Sequence, residues 1–137
     1  MSYDYYLQAH LNQDSQNISA DSILKILEEY VTRKGEGFVD LQFDKDNSCT
    51  FYFEIDEPFT NSININRPCS GEEFMRCIYR IMQLGNFVFF EPDGKYSIIL
   101  NEKIKTELPE DMIEGLGEPA VANDFEEFQQ LLLNNRN

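Results

Sequence analysis

A chain of 137 residues with 42% hydrophobic and 13% aromatic content holds enough apolar material for one packed core, which argues against general disorder and against a second domain. Its 11 Lys and Arg face 25 Asp and Glu, giving a net charge of -14, so direct binding of nucleic acid is disfavoured because neutralising phosphates normally supplies that affinity. No apolar run approaches the roughly 18 residues of a membrane span, and the opening Met-Ser-Tyr-Asp-Tyr-Tyr lacks the basic then apolar pattern of a secretory signal, so a cytoplasmic protein is expected.

Along the chain, Tyr5, Leu7 and Ala9 alternate with Tyr6, Gln8 and His10, which predicts a first strand ending near Leu11. Residues 12–19 read as a polar connection. Ser19 then caps a predicted helix over 20–33, because Ile23, Ile26, Leu27, Tyr30 and Val31 make one apolar stripe, with Gly35 and Gly37 as the stop. Val39, Leu41 and Phe43 share one side of the next strand and Cys49, Phe51, Phe53 and Ile55 one side of the strand after it, with a turn over 44–48. The outward set of this hairpin contains Asp40, Gln42, Thr50, Tyr52 and Glu54, a polar and acidic face with Tyr52 among the charges. A shorter strand over 62–66 places Ile63 and Ile65 inward, and Pro68 ends it.

Ser70-Gly71-Glu72-Glu73 has the form of a capping box, in which the Ser70 hydroxyl and the Glu73 carboxylate each accept an orphan backbone N–H. The helix it opens has Phe74, Cys77, Ile78, Ile81 and Met82 on its buried stripe, Arg76 and Arg80 outside it, and Gly85 placed to cap the end. Residues 86–90 are continuously apolar, as for a strand covered on both faces, and Glu91-Pro92-Asp93-Gly94 turns the chain into a strand over 96–100. The connection over 103–119 holds a short helical turn at Pro109-Glu110-Asp111-Met112-Ile113-Glu114, with Pro at the first position. Asn123 or Asp124 caps a last helix running to about Leu132 with Phe125, Phe128 and Leu132 on one face. The expected fold is one α+β domain over 1–137, a mainly antiparallel sheet with helices packed on one face, the acidic segment 106–137 included.

Charge is unevenly spread. Residues 106–135 hold no Lys or Arg but eight acids: Glu107, Glu110, Asp111, Glu114, Glu118, Asp124, Glu126 and Glu127. Such a field speeds encounter with cationic partners and resists self-association, so a monomer or weak homodimer is expected. The partner is then a basic protein domain such as a nuclease. Tyr52, Glu54, Asp56 and Glu57 after the first hairpin, with Glu110, Asp111 and Glu114 before the last helix, are the residues expected to meet it.

Signals for chemistry are weaker. Cys49, Cys69 and Cys77 are odd in number with no CxxC spacing, which suits free thiols better than a disulfide framework. Cys69 precedes a helix start, where a thiol pKa falls, but no local base accompanies it and His10 is distant in sequence. Glu54, Asp56 and Glu57 contain the residue types of a glycosidase pair, yet acids this abundant produce such clusters by chance. Asp44-Lys45-Asp46-Asn47 lacks the later Gly and Glu of a calcium loop. With one histidine and no nucleotide or hydrolase motif, no metal, no cofactor and no catalytic residue are assigned.

Three stretches together resemble bacterial immunity proteins that protect a cell against polymorphic toxins, the antitoxins of bacterial competition. They are Ser2-Tyr3-Asp4-Tyr5-Tyr6, then Phe51-Tyr52-Phe53-Glu54-Ile55 leading to Ile63-Asn64-Ile65-Asn66-Arg67-Pro68, and then Glu73-Phe74. The resemblance implies a cytoplasmic, non-enzymatic protein that binds a cognate toxin domain and blocks its active site or assembly. By element order alone the chain is also similar to the small acidic dimeric chaperones of type III secretion, from which the extra first strand and the connection over 103–119 depart. A third class, the DNA-mimic inhibitor, would spread carboxylates at phosphate-like spacing rather than gather them toward one end.

Overall fold

The computed structural model describes residues 4–135; Ser2 and Tyr3 of the opening run lie outside the described residues. The first strand, β1 (Asp4–Leu11), is bordered by the two-residue β2 (Asp14–Ser15) and β3 (Ile18–Ser19) and then by helix α1 (Ala20–Leu27). Five strands follow before the next helix: β4 (Val31–Gly35), β5 (Phe38–Asp44), β6 (Asn47–Tyr52), the short β7 (Phe59–Thr60) and β8 (Ser62–Asn66). Helix α2 (Glu72–Met82) leads to β9 (Phe87–Phe90) and β10 (Ile98–Ile99), and α3 (Glu110–Leu116), β11 (Ala120–Val121) and α4 (Phe125–Asn134) complete the described chain. The main sheet runs β11-β10-β9-β1-β8-β6-β5-β4 with β2 joined to β1, and among the described residues only the β10–β11 pair is parallel. This is an α+β architecture with a large, mostly antiparallel sheet.

Alternation along β1 sets the two sides. Tyr5, Leu7 and Ala9 are buried beneath α1, α2 and α4 in one core that includes Ile23, Leu27, Ile78, Ile81 and Phe128. Phe74 of α2 stands at its centre, with its ring 6.2 Å from Tyr5, 5.6 Å from Phe43 and 6.4 Å from Phe51. A second, smaller cluster lies across the sheet, where Val88, Ile99, Ile104 and Leu108 are joined by Met112 and Ile113 of α3. The continuous apolar run of β9 is explained by this arrangement: Phe89 meets Tyr5 and Phe128 on one side, while Val88 enters the other cluster.

Local signals and observed boundaries differ at several points, each for a physical reason. The first helix stops at Leu27 instead of reaching residue 33; a single 3-10 turn, Glu28–Tyr30, passes into β4. Val31 keeps the helical spacing by coincidence and pairs with Leu41 in the sheet, while Gly35 lies opposite Phe38, whose ring occupies the space a Cβ would need. The polar connection 12–19 contains β3, which pairs with β7. No capping box forms at Ser70: its backbone N–H and hydroxyl both donate to Asn47 Oδ1, and Gly71 at φ 104 takes the cap position. Glu73 instead accepts from the Tyr30 hydroxyl at 2.7 Å.

A reciprocal cap does form at α4, where Asp124 Oδ1 accepts from Glu127 N and Glu127 Oε1 accepts from Asn123 N. Gly85 does not cap α2, whose C-cap is Gln83; it admits the Ile18 side chain, whose Cδ1 would collide with a Cβ there. The strand expected over 96–100 is limited to Ile98–Ile99 because Tyr96 is held by α4, its N–H donating to Asn135 Oδ1 and its hydroxyl to the Leu131 carbonyl. Within 103–119, a 3-10 segment, Glu102–Glu107, precedes α3, and Pro109 is the cap residue rather than the first helical one.

Phe74→Ala is expected to lower stability by about 3–5 kcal/mol, the cost of deleting a fully buried ring, measured as a reduced urea midpoint at unchanged slope. A second expectation concerns alkaline pH. The hydrogen bond to Glu73 pushes the Tyr30 phenol up from 10.0 to about 12. A raised folded pKa means that this bond's stabilisation is complete below pH 10 and is lost as pH rises through about 12. Urea unfolding of wild type and Tyr30→Phe should therefore show a wild-type advantage at neutral pH that disappears at strongly alkaline pH.

Candidate partner-binding surface

Helical cover on the second side of the sheet is incomplete. The 3-10 segment and α3 lie over the β9–β11 end, and among the described residues no helix covers the faces of β1, β8, β6 and β5 beyond it. Register decides which side chains meet there. Phe38 pairs with Tyr52, Tyr52 with Asn64, Asn64 with Tyr6, and Tyr6 with Phe90, so one cross-strand row of four aromatics and an amide crosses five strands. Ring centroids are 6.1 Å apart for Phe38 and Tyr52 and 5.3 Å for the stacked Tyr6 and Phe90. Directly paired side chains interact, so the row behaves as one surface.

A shallow groove of about 470 Å³ lies against the middle of this row, lined by Tyr6, Gln8, Tyr52, Glu54, Ser62 and Asn64 among others. Tyr52 is 46% exposed, high for an aromatic that its strand could have buried. Beside the row, Asp40 accepts from the Thr50 hydroxyl at 2.7 Å and from Arg33 Nε at 2.9 Å. The Thr50 hydrogen bond first, and Arg33 second, hold the Asp40 carboxyl below its usual range. Asp40 is thereby engaged inside the molecule, and Arg33 also covers the Phe38 ring at 5.1 Å.

The expected contact residues fall into two groups. Tyr52 and Glu54 line the groove itself, and the exposed Asp56 and Glu57 follow in a turn in which Glu57 N donates to Glu54 O. Glu110 and Asp111 occupy the first turn of α3 and Glu114 the next, all exposed, while Met112 and Ile113 anchor that helix to the second cluster. Gln8 of the groove pairs with Val88 of that cluster, so α3 stands on the same side of the sheet as Tyr52. The two acidic groups therefore flank one sheet face. Tyr6, Phe38, Asn64 and Phe90 complete the row and were not among the expected contact residues, because only the register brings them into line with Tyr52.

The weaker sites can also be placed. Tyr5 and Cys69 line one cavity, and His10 lies five residues farther along β1, roughly 17 Å away at the rise of a strand, so no Cys–His dyad forms. Burial pushes the His10 imidazole down, opposed by the nearby backbone and carboxylate of Asp14. The Asp44 carboxylate accepts from Asp46 N and from Asn47 Nδ2, which closes the β5–β6 turn. Among the described residues, no group of three or more His, Cys, Asp or Glu is placed to hold a metal ion, and no helix is long and apolar enough to cross a membrane. No protein-family model, curated protein or solved structure matches the chain.

Proposed function

We propose that this protein is a cytoplasmic immunity protein that binds and neutralises a cognate bacterial toxin domain, with the open sheet face as its docking surface. The observation that carries the reading is the aromatic row Phe38–Tyr52–Asn64–Tyr6–Phe90, flanked on the same side by the carboxylates of Glu54 and α3. The exposed Tyr52, with the half-buried Tyr6 beside it in a shallow groove, supplies the anchor that a protein interface desolvates, and surrounding charge steers the encounter. Five strands at about 4.8 Å spacing present a face roughly 20 Å wide, the scale of a protein patch. The net charge of -14 selects a basic partner, which fits a nuclease or another polyanion-binding toxin. Binding blocks the toxin's cationic groove by occupying it, and neutralisation involves no covalent step.

Each half of the surface has its own kinetic signature. With the product of the adjacent reading frame tried as the cognate partner, Tyr52→Ala should weaken binding about 30-fold or more through faster dissociation, as truncation of a central anchor does. The triple variant Glu110→Gln, Asp111→Asn, Glu114→Gln should instead slow association and flatten its dependence on salt. Stopped-flow association at low and high ionic strength, with dissociation followed by competition, reads both. Association indifferent to salt removes the steering role of α3, and wild-type dissociation in Tyr52→Ala removes the aromatic row.

A further inference from the structure

On the helix side of the sheet, three thiols converge where β6, the end of β8 and the start of α2 meet. The register Thr50 to Asn66 sets Cys49 beside Arg67 in the antiparallel pair. Arg67, at φ 52, and Pro68 then turn the chain back toward β6, where Ser70 N donates to Asn47 Oδ1 at 3.1 Å and Cys69 packs against the core that contains Cys49. Cys77 is buried within the same core. Access separates the three: Cys49 and Cys77 are 6% and 2% exposed, whereas Cys69 is only half-buried and opens into a cavity of about 540 Å³ shared with Asn47, Arg67 and Leu133.

Their chemistry differs in the same order. The neighbouring Cys49 thiol, with the backbone N–H of Cys69 adding to it, pulls the Cys69 thiol below its ordinary value against the opposing effects of burial and Asp44. That interaction and burial push Cys49 up, and burial raises Cys77 to about 12. A thiolate is the nucleophile in disulfide exchange, and a reactive cysteine needs both thiolate character and access. Only Cys69 has the two together, with a second thiol directly behind it.

We propose that Cys69 and Cys49 form a redox-active dithiol that reacts with low-molecular-weight disulfides such as oxidised glutathione, Cys69 attacking and Cys49 resolving. In the first step the Cys69 thiolate forms a bond to one sulfur of oxidised glutathione, whose S–S bond breaks, and one glutathione leaves as a thiolate that takes a proton from water. In the second step Cys49 gives up its proton and attacks the Cys69 sulfur of the mixed disulfide, releasing the second glutathione thiolate, which accepts that proton. The two protein thiols are oxidised and one glutathione disulfide is reduced to two thiols. The product bond ties β6 to the segment that launches α2, on the side of the sheet away from the aromatic row.

Reduced full-length protein, freed of reductant and incubated with oxidised glutathione, tests this by intact mass and non-reducing peptide mapping. The expected course is a transient adduct of one glutathione on Cys69, replaced by a species lighter than the reduced chain by two hydrogens, with Cys49 bridged to Cys69. The burial that raises Cys49 makes the second step the slower one, so the adduct should accumulate before it resolves. Cys69→Ser should abolish both species, Cys49→Ser should arrest at the adduct, and Cys77→Ser should change neither. Alkylation should select Cys69 by at least about 10-fold over the other two thiols. A stable adduct in wild type, a bridge that includes Cys77, or modification that ignores Cys69 overturns the proposal. The wild-type time course decides between these outcomes even where a serine variant fails to fold.

Discussion

Every other feature depends on how β1 is held. It is paired on both edges, through five register positions with β8 and four with β9, so neither of its faces is free to rotate. In a strand the side-chain period is two, and a slip of one residue would send Leu7 into the groove and Gln8 into the core beneath α2. The full burial of Leu7, Ile63, Ile65 and Phe89 around that strand makes such a slip costly, since each is an aliphatic or aromatic group that would leave the core together with its neighbours. Fixing β1 fixes Tyr6 opposite Asn64 and Phe90, and with them the surface on the other side.

The charge of the molecule is carried without much internal compensation. Arg33 with Asp40, Arg76 with Glu72, and Lys105 with Glu118 form ion pairs, all at or near the surface, where such pairs contribute little to stability. Arg76 is more useful as a spacer between helices, with its guanidinium 4.2 Å from the Phe125 ring centre, joining α2 to α4. The 25 acids outnumber the cations by 14, and the fold tolerates the resulting repulsion because its cohesion comes from the aromatic core around Phe74. The excess charge is consequently a property of the exterior, directed at solvent and partners.

Much of the fold was legible in the residues, and what was not follows from contacts distant in sequence. The alternation of β1 and the stripes of α2 and α4 are local patterns, and each matches its element. Val31 satisfied a helical spacing and still became a strand, because pairing with Leu41 in β5 outweighed a stripe that Tyr30 completes in a 3-10 turn. Ser70 had the right offset from Glu73 for a cap, but Asn47 from the β5–β6 turn captured the one and Tyr30 the other. At the candidate site the same limit applies. Tyr52 and Glu54 could be identified as outward residues from alternation alone, while Phe38, Asn64 and Tyr6 join them through register between residues distant in sequence, such as Tyr6 with Asn64.

The acidic segment is not a tail. Gln13 N donates to the Glu107 carbonyl at 2.8 Å, and Asn12 N donates to the Glu107 carboxylate at 2.8 Å, tying the 3-10 segment to the turn after β1. From there Leu108, Met112 and Ile113 hold α3 against β9 and β10, and the parallel β10–β11 pair secures the chain beyond it. Glu110, Asp111 and Glu114 thus project from a helix docked on the same sheet that presents Tyr52. Charges on a fixed helix lose less conformational entropy when they meet a partner than charges on a mobile chain, which favours a complex whose orientation is chosen before contact is complete. The strand that orders the core also orders the approach of whatever binds the opposite face.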